Sequence, residues 1–333
     1  MKYCVWNNKG GVGKTFLTYL LATEYATQFP EKEIIVVDMC PQANVSEILL
    51  GGNGTGQANL EKCFSNECTI ASYIKKRYST GKSVLLGNET TYFVKVSEYN
   101  QNLPQNLYLL PGDSELDICS NIINYLASSP EKRDWVNSIN LLLDLINSFS
   151  NARKKEQVYF FDCNPSFSPY TELAIVASNR LIIPCTADNA SMRGIKNIFK
   201  LLYGTKQEES QFTQFHEKIK ENNMLLPTVH RVIQNKSRSH QKNASKAFQA
   251  NLTEITTIVQ ELKNDYSDRF SDNNNNIYNI KDGNTLAAVI NHTGRMLNDI
   301  AIGYHSIYGM KAQVSSKQKD VLIQDVKQLV SQL

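Results

Sequence analysis

The most constraining feature of this sequence is a glycine-rich stretch at residues 8–15, which reads Asn-Lys-Gly-Gly-Val-Gly-Lys-Thr. A short apolar run at residues 3–6 precedes it, and a helical pattern at residues 16–22 follows it. A strand, a glycine-rich turn and a helix in this order are typical of a phosphate-binding loop. Glycine lets the backbone curl around an anion, so that amide groups and the helix N-terminus point at it. The stretch therefore predicts a nucleotide-phosphate site.

The residues of this loop have distinct expected roles. Lys14 is expected to reach the β- and γ-phosphates, and the Thr15 hydroxyl is expected to bind Mg²⁺. The general pattern G-x-x-x-x-G-K-[ST] is not strictly met, because Asn8 stands where the first glycine belongs and an extra lysine, Lys9, precedes Gly10. The residues predicted to bind the nucleotide here are Lys9, Gly10, Gly11, Val12, Gly13, Lys14, Thr15 and Phe16.

Short apolar runs recur along the chain and alternate with helical stretches. They occupy residues 33–38, 106–113, 158–162, 180–185 and 224–226, the last continuing into 229–233. Continuous apolar runs are typical of strands that are buried on both faces of a parallel sheet. The alternation predicts the α/β class, a doubly wound, mostly parallel sheet with helices on both faces and its site at the carboxyl ends of the strands.

The length and composition suit one large domain, because 333 residues with 41% hydrophobic residues can bury a sizeable core. We expect residues 1–310 to form a single P-loop domain with a polar, irregular elaboration at about 51–105, which contains a helix near residues 70–78. Residues 311–333 are expected to form a C-terminal amphipathic helix that docks on the protein's own surface or on a partner rather than on a membrane. Its apolar residues at helical spacing are Leu322, Val326, Leu329 and Leu333.

The cysteine and hydropathy patterns predict a cytoplasmic protein without membrane contacts. Seven cysteines are scattered and form no C-x-x-C pair, which favours a reducing compartment. The first residues already enter a strand pattern, which argues against a signal peptide. No run approaches the roughly 20 apolar residues that a membrane span needs.

Two aspartates that end buried-strand runs are the candidates for metal and water chemistry. Asp162 ends the run 158–162 and is expected to hold Mg²⁺ through a water molecule, as the acidic residue after a buried strand does in P-loop enzymes. Asp38 ends the run 33–38 in the same way. Thr15 and Asp162 are therefore predicted to bind the metal.

Several segments resemble the ParA/MinD family of deviant Walker A ATPases, and most closely its ParA-type partition proteins. The loop matches the family's K-G-G-x-G-K-T. The segment from Asp38 reads D-M-C-P-Q-A-N beside the family's D-x-D-P-Q-x-N, and the segment from Asp162 reads D-C-N-P-S beside D-C-P-P-S. Residues 109–116 and 182–195 also resemble family segments. The resemblance covers roughly residues 1–50 and 106–200 and fades beyond 210.

The resemblance implies a fold, cofactors and roles for particular residues. It implies ATP and Mg²⁺ as cofactors and a homodimer that closes on ATP, with Lys9 contacting the nucleotide held by the partner subunit. It implies Lys9, Lys14 and Asp38 as the catalytic residues. It also implies that Asp38 belongs to the metal shell, so the predicted metal ligands are Thr15, Asp38 and Asp162. Asn235 falls where the family often contacts adenine; a loop asparagine without that role is the alternative.

One departure from the family bears on the rate of hydrolysis. Cys40 stands where relatives have a second aspartate that helps to orient or activate the attacking water. A thiol cannot supply the same acceptor geometry, and loss of a positioned acid or base typically costs about 10² to 10⁴ in rate. We therefore expect ATP binding with slow hydrolysis. The rival account is that hydrolysis depends mainly on Asp38 and on closure driven by a partner.

A basic stretch lies in the second half of the chain. Residues 226–253 contain no acidic residue, and basic residues cluster before the following helix. Such a cluster suits the phosphate backbone of DNA, recognised by charge without sequence readout. A solvated basic face, or contacts to the protein's own nucleotide, are the alternatives. The candidate DNA-binding residues are Arg238, Lys242 and Lys246.

Two functions follow from these expectations. The first is a ParA-type partition ATPase that binds double-stranded DNA non-specifically and segregates plasmid or chromosome DNA with a centromere-binding, ParB-like adaptor; such a protein would be nucleoid-associated. The alternative is a MinD-like ATPase that positions or regulates a protein complex, which weak DNA binding would favour. A metal-cluster carrier of the nitrogenase iron protein type shares this loop but needs cysteines that bridge the dimer, for which only Cys119 and Cys163 are conceivable.

Overall fold

The computed structural model describes residues 1–81, 85–128, 132–204, 214–237, 246–271 and 276–333. Its strands are β1 (Lys2–Val5), β2 (Glu33–Met39), β3 (Val94–Lys95), β4 (Leu107–Leu110), β5 (Gln157–Cys163), β6 (Arg180–Cys185), β7 (Thr228–Ser237), β8 (Ile277–Lys281), β9 (Gly303–Ile307) and β10 (Met310–Val314). Its helices are α1 (Lys14–Gln28), α2 (Asn44–Leu49), α3 (Thr55–Ser65), α4 (Ile70–Thr80), α5 (Leu116–Ala127), α6 (Lys132–Ile139), α7 (Leu141–Asn151), α8 (Pro169–Ala177), α9 (Asn189–Tyr203), α10 (Gln214–Glu221), α11 (Lys246–Asp265), α12 (Asn284–Thr293) and α13 (Ser316–Val330).

Eight strands form one twisted sheet in the order β3-β4-β2-β5-β1-β6-β7-β8. All neighbours in it are parallel except β3 and β4, which pair antiparallel at the edge. The strand that precedes the glycine-rich loop therefore lies near the middle of the sheet, with β5 on one side and β6 on the other. The predicted doubly wound α/β fold is confirmed.

The sheet separates two apolar cores because alternate residues of each strand face opposite sides. In β2, Ile35 and Val37 belong to one core, and Ile34 and Val36 belong to the other. All four side chains are buried, which explains why the strand reads as an uninterrupted apolar run. Helices α4 to α11 contribute to the first core, and α1, α2, α3, α12 and α13 contribute to the second.

The elaboration at residues 51–105 is more regular than the sequence predicted. It contains α3 as well as the predicted helix near residues 70–78, which is α4, and its strand β3 extends the main sheet. Helix α4 buries Ile70, Tyr73 and Ile74 in the first core. The segment is thus built onto the edge of the sheet next to β4.

Two predicted boundaries need correction. The predicted strand at 224–226 is wrong, because β7 begins at Thr228 and Leu225 remains 88% exposed. Pro227, which has no amide hydrogen to give to a sheet, stands directly before β7. The C-terminal helix begins at Ser316 rather than at 311, because residues 310–314 form β10, the second strand of an antiparallel hairpin with β9.

The C-terminal helix docks on the protein's own surface. This is one of the two docking sites that the sequence predicted, the other being a partner. Leu322, Val326 and Leu329 are buried in the second core, where α13 packs against α1 and β8. The Ser315 hydroxyl caps the helix by accepting a hydrogen bond from the Gln318 amide at 3.3 Å. In the part of the chain that the structure describes, no helix is both long and apolar enough to cross a membrane.

Candidate nucleotide-binding site

The glycine-rich loop joins β1 to α1 and adopts a conformation that requires glycine at two positions. Gly11 has φ +73° and Gly13 has φ +83°, in the left-handed region that other residues avoid. A Cβ atom on Gly13 would also lie 2.2 Å from Nδ2 of Asn235. Among the described residues no side chain caps α1, whose N-cap is Gly13, so its first amide groups remain available to an anion.

A cavity of about 650 Å³ opens over this loop. It extends from the ends of β2 and β5 across the start of α1 to the turn between β8 and α12, so it lies at the carboxyl edge of the parallel sheet, where α/β proteins bind their ligands. The loop residues that line it are Gly10, Gly11, Gly13, Lys14, Thr15 and Phe16, and other elements add Cys40, Gln42, Asn44, Glu47, Ile48, Asn53, Cys163, Pro165, Asn235, Asp282, Gly283, Ala287 and Asn291.

The loop is held by its own lysine and by a buried asparagine. Nζ of Lys14 donates hydrogen bonds to the carbonyl oxygens of Asn7 at 3.2 Å and of Lys9 at 3.0 Å. Burial lowers the pKa of Lys14, and the nearby carboxylate of Asp162 opposes this shift. The Asn7 side chain donates to the carbonyl of Pro184 at 2.8 Å and accepts from the Lys9 amide at 3.0 Å, which ties the loop to β6.

The two predicted aspartates lie side by side, because Asp38 of β2 and Asp162 of β5 are partners in the sheet register. Both are buried. Asp38 accepts hydrogen bonds from the Cys40 amide at 3.1 Å and from the amide and hydroxyl of Ser46 at 3.0 and 2.7 Å. Asp162 Oδ1 accepts from the Thr18 hydroxyl at 3.4 Å, whereas its Oδ2 has no hydrogen-bond partner among the described residues.

This arrangement perturbs both carboxyl groups and suits a divalent cation. Burial raises the pKa of Asp38 to about 6, against the hydrogen bonds from Ser46 and Cys40. Burial and the neighbouring charge of Asp38 raise the pKa of Asp162 to about 8. Mg²⁺ prefers oxygen ligands, and a cation would satisfy the buried Asp162 Oδ2 and offset the repulsion between the two carboxylates. Together with Thr15, these residues fit the predicted magnesium site.

Ser46 is a positioning residue that the sequence analysis missed. Its hydroxyl donates to Asp38 and also accepts from the amide of Gly112 at 3.0 Å, so it joins β2 to the end of β4. A Cβ atom on Gly112 would lie 2.8 Å from Cγ of Asp38, which explains glycine at that position. Ser46 stands two residues beyond the D-M-C-P-Q-A-N segment, but nothing in its spacing indicates this contact.

Cys40 faces the cavity as a neutral thiol. Burial and the charge of Asp38 raise its pKa to about 12, so the thiolate is not formed near neutral pH. A protonated thiol is a weak nucleophile, so this environment does not favour covalent chemistry at Cys40. Cys119 and Cys163, the conceivable ligands of a bridging metal cluster, are both buried inside the chain, so neither is exposed to a partner subunit.

The second lysine of the loop is bound to another element of the same chain. Nζ of Lys9 lies 2.5 Å from Oδ2 of Asp188 and also donates to the hydroxyls of Thr186 at 2.8 Å and Ser191 at 3.2 Å. Asp188 caps α9 by accepting from the Ser191 amide at 2.8 Å. Partial burial would raise the pKa of Asp188, but the hydrogen bonds that its carboxylate accepts, including those from Lys9 and the Ser191 amide, lower this pKa to about 2. A Cβ atom on Gly194 would lie 2.9 Å from the Asn7 side chain, so α9 packs closely on the loop.

The remaining predicted residues divide into two groups. Asn235 is buried and lines the cavity, and its Nδ2 donates to the carbonyl of Val12 at 3.0 Å, so its amide braces the loop. Its contact with adenine stays a prediction. Of the candidate DNA-binding residues, Arg238 and Lys242 lie outside the described residues, and Lys246 is the first residue of α11.

A mostly parallel sheet whose central strand leads through a glycine-rich loop into a helix, with paired aspartates on adjacent strands, defines a P-loop nucleotide-binding protein. The AAA_31 family model, described as an AAA domain, matches residues 2–216, and the chain belongs to this family. The resemblance to ParA/MinD-type ATPases is thereby confirmed, since a relative named the ParA family protein MG470 of Mycoplasma genitalium is also similar to this chain. It is 22% identical over 254 residues, which cover 75% of this chain and 82% of the relative.

Two further relatives are uncharacterised proteins of Pseudomonas putida, 22% identical over 200 residues that cover 59% of this chain. The match spans about 60% of the length of these relatives. Among solved structures, apo McdA of Cyanothece has a TM-score of 0.61 at 14% identity and covers 98% of both chains. A Borrelia burgdorferi protein assigned to plasmid partition and bound to AMPPNP has a TM-score of 0.57 at 15% identity, covering 99% of this chain and 98% of its own. At these identities the likeness establishes the shared fold.

Proposed function

We propose that this chain is a ParA-type partition ATPase, in which ATP drives two copies together and the closed homodimer binds double-stranded DNA without sequence preference. A centromere-binding, ParB-like adaptor would then trigger release, so that plasmid or chromosome DNA is segregated. The protein would act in the cytoplasm, associated with the nucleoid. The family, the ParA family relative and the fold shared with a protein assigned to plasmid partition support this proposal.

The observation that carries the proposal is the division of labour between the two loop lysines. Lys14 lines the cavity of its own chain, whereas the Lys9 side chain forms an ion pair with Asp188 at the start of α9. A lysine that is not needed to hold the loop's own phosphates can serve a second subunit once its ion pair with Asp188 opens. This is the arrangement expected of a switch in which each protomer completes the site of the other.

ATP and Mg²⁺ are the ligands that the site residues suit. The amide groups of the loop and the N-terminus of α1 would hold the phosphates, and Lys14 would pair with the β- and γ-phosphates. Thr15 and Asp162, with Asp38 beside them, would hold Mg²⁺, which supplies charge neutralisation of the phosphate oxygens when bound. The Borrelia protein that shares this fold is bound to AMPPNP, which agrees with this choice.

We infer that hydrolysis is slow in the absence of a partner. Cys40 stays protonated and cannot accept a proton from water, because its pKa is about 12. Oδ2 of Asp38 already accepts two hydrogen bonds from Ser46, which commits that oxygen to holding the structure. A triphosphate-bound state with a long lifetime would suit a protein that must remain on DNA until an adaptor arrives.

The proposal is tested by fluorescence anisotropy of a random-sequence DNA duplex with ADP, ATP and AMPPNP at two salt concentrations. We expect binding only with triphosphate, a steep loss of affinity at higher salt because phosphate contacts release counterions, and persistence of the complex in plain ATP. Lys9→Ala is the matched control, because it should keep nucleotide binding and lose DNA binding. Failure to bind DNA in every nucleotide state would refute the partition function and favour the MinD-like alternative, a switch that positions or regulates a protein complex.

A further inference from the structure

The cavity has a second wall on the β8 side, where the start of α1 meets the turn that follows β8. Cys40 follows β2 and Cys163 is the last residue of β5, on one side of β1 in the sheet, whereas Asp282 and Gly283 follow β8, at the other edge. A triphosphate whose γ end meets the aspartates of β2 and β5 directs its sugar and base towards the β8 side. The wall formed by Phe16, Asp282 and Gly283, called here the base wall, is where the base would rest.

The base wall is a close contact between α1 and the turn that begins α12. A Cβ atom on Gly283 would lie 2.7 Å from Cε1 of Phe16, so glycine is what allows the turn to rest against the aromatic ring. The same Cβ atom would lie 3.5 Å from Cδ2 of Leu322, which is buried in the second core. The turn is therefore held between the phosphate-loop helix in front and the C-terminal helix α13 behind.

Asp325 of α13 fixes the residue that leads into this turn. Its Oδ2 accepts a hydrogen bond from the amide of Lys281 at 2.9 Å, and its backbone carbonyl accepts from the hydroxyl of Tyr278 at 2.9 Å. Lys281 is the last residue of β8 and directly precedes Asp282. One residue of α13 thus binds β8 at two points and sets where the chain leaves the sheet. Helix α13 also packs on α1, so the turn and Phe16 share one support.

From these contacts we propose that Asp325 is a positioning residue for nucleotide recognition. It holds the turn at Asp282 and Gly283 against Phe16 and so sets the affinity of the cavity for the base and sugar. The affinity of the phosphate loop for phosphate does not depend on Asp325. The role rests on the proposed binding of ATP. It gives the C-terminal helix a part in ligand selection, although α13 lies at the opposite end of the sequence from the loop and Asp325 need not touch the ligand.

The test compares two ligands, ATP and inorganic tripolyphosphate, each titrated calorimetrically with Mg²⁺ into the full chain. In Asp325→Ala the Lys281 amide loses its acceptor, and we expect ATP to bind about ten-fold more weakly, as for the loss of a hydrogen bond to a charged group. Tripolyphosphate has no base or sugar, so its affinity should stay within about two-fold of the wild-type value. Asp325→Asn keeps an oxygen that can accept from Lys281 and should restore most of the affinity for ATP.

Two further variants serve as a control for the helix and as a second way to displace the turn. Asp320→Ala alters an exposed carboxylate on the same helix. Among the described residues, this carboxylate accepts a hydrogen bond only from the Ser316 hydroxyl, at 2.8 Å. The substitution should leave the affinities for ATP and for tripolyphosphate unchanged. Gly283→Ala pushes the turn away from Phe16 and should reproduce the selective loss of ATP affinity if Asp325→Ala does not fold. Equal losses for both ligands, or no loss for ATP, would overturn the role of Asp325. A wild-type protein that binds neither ligand would instead refute the proposed function.

Discussion

At the scale of single residues, the chemistry of the site depends on which carboxylate oxygens are already committed. Ser46 uses both its amide and its hydroxyl on one oxygen of Asp38, whereas Oδ2 of Asp162 has no partner among the described residues. Two aspartates that look equivalent in the sequence therefore divide their roles. Asp162 is the one with an oxygen free for a cation, and Asp38 is the one that the protein holds in place.

The cysteine beside Asp38 provides the first prediction. Cys40→Asp introduces an oxygen acceptor at the position where the ParA/MinD pattern has one, and we expect the steady-state rate of ATP hydrolysis to rise by about 10²-fold, the usual effect of one positioned acid or base. Release of phosphate from purified protein measures the rate. Cys40→Asn is the matched control, because it has a similar shape without the carboxylate and should leave the rate low. An unchanged rate in Cys40→Asp would favour the account in which Asp38 and partner-driven closure control hydrolysis.

The residues that sequence could predict are those in contiguous segments. The loop residues follow β1, and Asp38 and Asp162 lie near the carboxyl ends of the buried strands β2 and β5, so their neighbours in the chain already indicate where they stand. Ser46 and Gly112 could not be predicted as parts of the site, because they meet Asp38 only after β4 pairs with β2. Such contacts depend on the register of strands that are distant in sequence.

At the scale of elements, the strands that could be predicted from the sequence are those that are buried along most of their length. Strands β2, β5 and β6 are buried almost throughout and read as apolar runs, so their places were predicted. Strand β3 has two residues, and the hairpin of β9 and β10 has one face exposed, so neither gives a continuous apolar signal. The hairpin was instead assigned in part to the C-terminal helix. Short or half-exposed elements are specified by partners elsewhere in the fold.

Helix α8 provides a prediction about stability and pH. Burial raises the pKa of Glu172 to about 7, against a small opposing effect of Lys218. Because the folded-state pKa lies above the unfolded value near 4.5, the stabilising contribution is present below pH 4.5 and is lost as the pH rises through 7. Glu172→Gln removes this penalty, so we expect it to be more stable than the wild type by about 3 kcal/mol at pH 8 and by less than about 0.5 kcal/mol at pH 4.5.

Urea unfolding at several pH values between 4.5 and 8 measures this difference for Glu172→Gln. The control is Glu254→Gln, which makes the same substitution at an exposed position on α11. A stability difference for Glu172→Gln that is the same at pH 5 and pH 8 would contradict the assigned titration. Loss of stability at pH 8 would show that the carboxylate of Glu172 has a stabilising partner.

At the scale of the whole molecule, the ion pair between Lys9 and Asp188 connects the phosphate loop to α9. A dimer in which Lys9 reaches the partner's nucleotide must first break this pair within its own chain. The side chains of Lys9 and Asp188 are 25% and 42% exposed, so the pair stabilises the single-chain arrangement by no more than about 1 kcal/mol. The barrier to dimer formation that it imposes is therefore modest, and a bound nucleotide can overcome it.

Asp188→Ser isolates this effect, because serine keeps an oxygen that can cap α9 through the Ser191 amide and removes the charge that holds Lys9. We expect the dimer to form with AMPPNP at a protein concentration about two- to five-fold lower than in the wild type, measured by analytical ultracentrifugation. Lys9→Ala should remain monomeric in the same experiment. Glu261→Gln breaks a different ion pair of α9, between Glu261 and Lys196 at 3.9 Å, in which no loop residue takes part, and should leave dimerisation unchanged. Weaker dimerisation of Asp188→Ser would mean that Asp188 supports the closed state and that its contact with Lys9 does not oppose closure.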